Sequence, residues 1–167
     1  MNKVLITGIS GYLGARLTKC LLKRKNIDDI VGIDIHPPAD LPDSVSFYET
    51  DIRNPDTSDL MSKHEIDTIF HLAFVVKPIH NLKRMHDIDV NGTENILESA
   101  HRTGVKHVIA ISSTLAYGAH PDNPRRLSED DPLRGNKSFP YGHYKAVTDQ
   151  LIQDFAKAHP DMIISIL

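Results

Sequence analysis

The sequence has no tryptophan, a single cysteine and no long apolar run. One cysteine excludes an intrachain disulfide. Cys20 falls in the first helical pattern and reads as a buried small hydrophobe rather than a nucleophile. No stretch reaches the ~18 apolar residues that a membrane-spanning helix needs. Lys3 leads directly into a strand pattern, not into the apolar region of a signal peptide. An excess of charge is also missing: 19 basic residues face 22 acidic ones, for a formal net charge of −3. That balance gives no electrostatic case for nucleic acid or an anionic membrane as partner. Together these absences predict a cytoplasmic globular protein.

What is present is alternation. Runs rich in Val and Ile recur at Lys3–Thr7, Asp29–Asp34, Ser46–Glu49, Thr68–Leu72, His107–Ser112 and Met162–Leu167. Helical patterns lie between them at Gly11–Lys25, near Thr57–Ser62, at His80–Thr103 and at Tyr141–His159. Such alternation predicts βαβ units and a doubly wound parallel sheet of α/β, Rossmann type, with helices on both faces. The strand runs are apolar almost throughout, as burial on two faces requires. Gly104 offers a left-handed stop for the third helix. His36–Val45 and His120–Pro140 are proline-bearing loops. The 167 residues suffice for one domain with a core. The final run Met162–Leu167 reads as a buried strand, and the expectation drawn from it is that residues 1–167 are the front domain of a longer protein.

The first strand pattern runs straight into Gly8-Ile9-Ser10-Gly11-Tyr12-Leu13-Gly14. The spacing is not the standard G-x-G-x-x-G. The context of strand, glycine turn and amphipathic helix nevertheless suits a dinucleotide pyrophosphate on a helix N-terminus. Gly8 would make the turn, Gly11 would admit the pyrophosphate and Gly14 would let the helix pack closely. Asp34 ends the second strand pattern, where a carboxylate can accept both hydroxyls of an adenosine ribose. It would repel a 2′-phosphate, and neither Ile35 nor His36 is an arginine, so NAD is favoured over NADP. A solvated strand-end aspartate is the plain alternative. Asp51 could accept from the adenine amino group while Ile52 packs on the ring; a loop carboxylate is its rival. Leu72 and Ala73, after the fourth strand, would let the cofactor backbone lie close. His71 reads as a satisfied strand-end histidine.

Ser112-Ser113-Thr114-Leu115-Ala116-Tyr117-Gly118 follows the fifth strand, at the sheet edge where ligands bind. Tyr141 and Lys145 sit one turn apart at the start of the last helix. A nearby ammonium favours an ionised phenol. Tyr141 could then take a proton from a substrate hydroxyl as hydride leaves for the cofactor. The Ser113 hydroxyl could orient the same oxygen, and Lys145 could hold the nicotinamide ribose. The plain readings are a packed tyrosine beside a solvated lysine, and serines that only satisfy loop backbone. Among the ten histidines, His64, His71, His80 and His86 show no ligand spacing, so no metal is expected. Ser113 lacks a G-x-S-x-G elbow. Tyr117, Tyr141 and Tyr144 are too few for a nucleic-acid stacking platform.

In order, T7-G-I-S-G-Y-L-G14, Asp34, D51-I-R53, H71-L-A73, V90-N-G-T93, S112-S-T-L-A-Y-G118 and Y141-G-H-Y-K145 resemble the extended short-chain dehydrogenase/reductase family, in particular its NAD-dependent epimerase/dehydratase branch. The resemblance implies Tyr141 as general base, Lys145 as its partner and Ser113 as assistant. It implies that Tyr12 and Leu13 lie over the pyrophosphate and that Asn91 supports the site from its helix. It also implies a separate C-terminal substrate domain, absent from this chain, and a homodimer through helices 80–103 and 141–159. The implied substrate is a nucleotide sugar, processed through a transient keto intermediate. One departure is Phe74-Val75-Val76, more apolar than the polar stretches common there. Two alternatives stay open: a simple dehydrogenase or ketoreductase on a small alcohol or steroid-like substrate, and a non-catalytic NAD-binding sensor or scaffold. Gly92, a costly residue inside a helix, is expected to pack closely on the sheet.

Overall fold

The computed structural model describes residues 2–77 and 79–167. Six strands form one parallel sheet: β1 (Asn2–Thr7), β2 (Ile27–Asp34), β3 (Ser46–Glu49), β4 (Thr68–His71), β5 (His107–Ala110) and β6 (Ile163–Ile166). Their order is β3-β2-β1-β4-β5-β6. The chain winds outward one way from β1 to β3, then returns to β4 and winds the other way. The loops after β1 and β4 therefore diverge and leave a crevice between them, at the switch point of the doubly wound fold.

Alternate residues of each strand feed opposite faces. Leu5, Val31, Ile69 and Val108 point to a core shared with α2 (Thr57–Lys63), α4 (Gly92–Thr103) and α5 (Pro140–Ala158), through Met61, Ile96, Leu97 and Phe155. Val4, Ile6 and Ile30 point to a second core beneath α1 (Tyr12–Leu21), closed by Ile9, Leu17 and Leu21. Fully burying a Leu or Ile contributes about 1.5–3 kcal/mol, so strands and helices both stabilise each layer through these residues.

Several expectations change at the ends of elements. α1 stops at Leu21, where Arg24 N–H bonds the Leu21 carbonyl at 2.8 Å in a tight turn. Cys20 is exposed, not buried. The buried stripe of α1 runs through Gly14 and Thr18, and Cys20 lies off that stripe. The helix predicted from His80 begins at Leu82 as α3 (Leu82–His86). A π-turn over Asp87–Asn91 joins it to α4. The extra residue of the π-turn changes the phase of the helix and sends Asp89 inward. Gly104 ends α4 in the left-handed region, at φ 77°. Gly92 packs not on the sheet but beneath the loop after β3: a Cβ there would come within 2.6 Å of Ile52 Cδ1. Among the described residues β6 pairs with β5 alone, at the sheet edge, so its apolar run is buried on one side: Met162, Ile164 and Ile166 pack on the core, while Ile163 is 63 % exposed and Leu167 71 %. No helix among the described residues is long and apolar enough to cross a membrane.

Candidate functional site

The carboxyl ends of β1 and β4 are held together by one histidine. Thr7 and His71 are register partners, and Thr7 Oγ1 lies 2.8 Å from His71 Nδ1. On its other side, His71 Nε2 lies 3.0 Å from Thr93 Oγ1, whose proton goes to the Asp89 carbonyl at 2.5 Å. The bonding pattern therefore places the imidazole proton on Nε2, with Nδ1 accepting from Thr7. Burial drives the His71 pKa down to about 3, helped by the charge of Lys145, so the ring is neutral. Thr7 Oγ1 in turn accepts from the amides of Leu72 and Ala73, each at 3.1 Å. The histidine is structural, as its sequence context suggested, and it fixes the floor of the crevice.

Gly8 meets this floor. Its φ is 71°, and a Cβ there would stand 2.8 Å from the Ala73 nitrogen. Only glycine combines that backbone with that approach. A side chain at Gly14 would strike the Gly8 carbonyl and the Ile9 backbone, which matches the packing role expected of it. Gly11 caps α1 without any side-chain bond. The first amides of the helix therefore have no intrahelical partner, and the positive end of its dipole faces the crevice.

A cleft of about 460 Å³ occupies the crevice. Gly8, Gly11, Tyr12, Leu13, Gly14, Asp34, Asp51, Ile52, Leu72 and Ala73 all line it. Asp34 is oriented by two amides: Ser10 N–H donates to Oδ2 at 3.0 Å and His36 N–H to Oδ1 at 3.3 Å. Each oxygen retains acceptor capacity for a hydroxyl. Asp51 is less free. Arg53 grips it through Nε at 2.9 Å and through a terminal nitrogen at 2.6 Å, and bonds Asp87 as well. The Arg53 hydrogen bonds hold the Asp51 carboxyl below its ordinary pKa. Ile52 is buried between the cleft and Gly92.

The remaining expected residues lie beside this cleft rather than in its wall. Phe74, Val75, Val76, Arg84 and Ile88 also line it, and of these only the Phe74–Val76 run was singled out from sequence. Lys145 Nζ sits 3.6 Å from the Phe74 ring centroid and donates to the Ile111 carbonyl at 2.6 Å. Tyr141 meets the same Phe74 edge-to-face at 5.7 Å, with the Lys145 ammonium 6.0 Å from its ring. Burial lowers the Lys145 pKa to about 8, against the opposing pull of Asp89 and Asp149.

Ser112 and Ser113 face a neighbouring cleft of about 760 Å³ between the segment after β5, α5 and β6. Ser113 Oγ caps the short 3-10 turn Thr114–Tyr117, accepting from Leu115 N–H at 3.2 Å. That turn packs directly on the start of α5: a Cβ on Gly142 would stand 2.9 Å from the Leu115 carbonyl. Ser113 and Tyr141 thus belong to two segments in contact. The Ser112 hydroxyl is taken by Asp149 at 2.5 Å, one turn beyond Lys145. Asn91 is exposed, donates to Asp87 at 2.8 Å and does not line the cleft. The inward position of its helix belongs to Asp89, fully buried, accepting from Val75 N–H at 2.8 Å through Oδ1, with Oδ2 unpartnered. Burial raises the Asp89 pKa to about 6. A π-turn has no simple sequence signature, so the pattern alone could not single out Asp89.

Comparison with known proteins supplies a frame for this geometry. A model described as "NAD dependent epimerase/dehydratase family" matches residues 4–167. D-erythronate dehydrogenase of Haemophilus influenzae is 34% identical over 163 residues, covering 93% of this chain and 50% of the relative. UDP-glucose 4-epimerase of Yersinia enterocolitica is 32% identical over 182 residues, covering 98% and 52%. Among solved structures, UDP-glucuronic acid 4-epimerase from Bacillus cereus, in complex with NAD, superposes with a TM-score of 0.83 at 27% identity, covering 98% of this chain and 55% of that one. The chain thus spans about half the length of the relatives it matches.

Proposed function

We infer that this chain, which belongs to the NAD-dependent epimerase/dehydratase family, binds NAD in the cleft between β1 and β4 and carries the proton-transfer residues of a nucleotide-sugar epimerase or dehydratase. The observation that carries the reading is the cleft itself: the glycine turn, Asp34, Asp51, Ile52, Leu72 and Ala73, far apart in sequence, line one cavity. The residues fit the cofactor. The glycine turn and the small Ala73 leave the cleft open beside the N-terminus of α1, where a pyrophosphate would lie, and Asp34 presents two oriented oxygens to a ribose. Bound NAD would supply the hydride acceptor.

The chain's own residues would supply the rest. Tyr141 would take the proton from the substrate hydroxyl and return it to the keto intermediate. Lys145 would favour the phenolate through its charge and hold the nicotinamide ribose. Ser113 would donate to the substrate oxygen and orient it. The supporting contacts are those of Lys145 and Tyr141 with Phe74, a wall residue of the cleft. The reading extends to a cytoplasmic location and to a homodimer through residues 80–103 and 141–159. The Tyr144 hydroxyl ties those two helical segments together, donating to the Leu82 carbonyl at 3.0 Å. A C-terminal substrate domain beyond this chain completes the proposal, and without it turnover should be low.

A second reading, a simple dehydrogenase on a small hydroxy compound, draws on two observations. The relative at 34% identity is a D-erythronate dehydrogenase, and Phe74, Val75 and Val76 give the cleft an apolar wall. Incubation with NAD and UDP-glucose, followed at the NADH absorbance and by sugar analysis, separates the two. An epimerase or dehydratase yields altered sugar without net NADH. Stoichiometric NADH from a small hydroxy acid, with no change in UDP-glucose, would overturn the first reading.

A further inference from the structure

At the amino-terminal edge of the sheet, opposite the cleft, three side chains from two segments converge. His101 lies in the last turn of α4, His159 caps the end of α5, and Asp161 stands in the turn that leads into β6. One ligand atom of each lies within 4.8 Å of the other two. The imidazole centroids are 4.0 Å apart, and His101 Nδ1 is 3.9 Å from Asp161 Oδ2.

That last separation exceeds a hydrogen bond, and among the described residues none of the three side chains makes one. The positions are nevertheless well braced. Phe155 packs against both rings, 4.2 Å from His159 and 6.4 Å from His101 between centroids. His159 N–H bonds the Phe155 carbonyl at 3.0 Å, and Met162 N–H bonds the His159 carbonyl at 3.1 Å. An apolar base, two imidazoles and a carboxylate at the rim form a donor set suited to a borderline cation. Oxygen-preferring Mg²⁺ and Ca²⁺ fit it poorly.

We propose that His101, His159 and Asp161 bind a divalent transition-metal ion, zinc fitting best, that clips the ends of α4 and α5 to the start of β6. Water fills the remaining coordination. The clip joins three elements of one core and has no part in hydride transfer, because it stands at the other end of the strands. No metal-binding spacing announces it: His159 and Asp161 are two residues apart, and His101 joins them from a segment 58 positions earlier.

The test is calorimetric titration of the 167-residue chain with Zn²⁺, paired with thermal melts. One zinc per chain and a rise in Tm of about 5 °C or more at saturation are expected, with no rise in Mg²⁺. Co²⁺ should give the visible absorption of a low-coordinate nitrogen–oxygen site. Asp161→Asn and His101→Gln should each weaken zinc by about tenfold or more while leaving NAD binding unchanged. Cys20→Ser, which removes the exposed thiol, should leave zinc affinity intact. Asp161 is exposed, so its substitution does not threaten folding. No zinc-dependent stabilisation, or stabilisation equal in Asp161→Asn, would overturn the proposal whatever the outcome with NAD.

Discussion

The Lys145 ammonium sits 3.6 Å from the centroid of the Phe74 ring. The ring covers the amine and joins it to the cleft wall, and burial is what holds the Lys145 pKa near 8. In Phe74→Ala, water reaches the amine, and its pKa should climb back toward the ordinary 10.5. A carbon-13 titration of the lysine ε-carbon reads this directly. An unchanged value in the variant would mean that Phe74 does not set the environment of Lys145.

His71 makes stability depend on pH with a definite sign. Its folded pKa is depressed from 6.5 to about 3, so the unfolded chain binds the proton more readily. The stabilisation is present above about 6.5 and is lost as pH falls toward 3. Urea unfolding of the native chain and of His71→Gln should differ in slope across that window by up to about 1.4 kcal/mol per pH unit. Asp89 acts in the opposite sense: its raised pKa gives a contribution that is lost as pH rises through about 6. It is present in both proteins, so the comparison isolates His71. Parallel slopes would contradict the buried neutral imidazole.

Tyr141→Phe keeps the ring that packs against Phe74 and Phe139 and removes only the hydroxyl. NAD affinity should stay within about threefold, since the ring that packs on the cleft-wall residue Phe74 is retained. Any sugar turnover should fall by about 100-fold or more, the usual contribution of a general base. Turnover indifferent to the change would favour a sensor or scaffold that kept the fold.

The fold was legible in the sequence because apolar strand runs alternate with helical patterns, and Gly104 marks the end of α4. The first half of the site was legible for a related reason. Gly8, Gly14 and Asp34 are demanded by backbone geometry and strand position, which act locally. The parts that escaped depend on phase and on distant contact. The π-turn sends Asp89 inward and leaves Asn91 exposed, a helical phase that periodicity cannot register. Arg53 occupies Asp51 through a local loop conformation. Cys20 fell on the wrong side of α1, because an amphipathic pattern locates a stripe less sharply than it locates a helix. β6 reads as buried because its composition is apolar, and its core-facing residues are; at the sheet edge, with one neighbour among the described residues, Ile163 is left exposed.

Calorimetric titration with NAD and with NADP tests most directly whether Asp34 sets the choice of cofactor. One NAD per chain is expected, with NADP weaker by about tenfold or more, equivalent to at least ~1.4 kcal/mol. Asp34→Asn, which retains an oxygen acceptor for the Ser10 amide, should narrow that gap. Equal or tighter binding of NADP by the native chain would contradict the account.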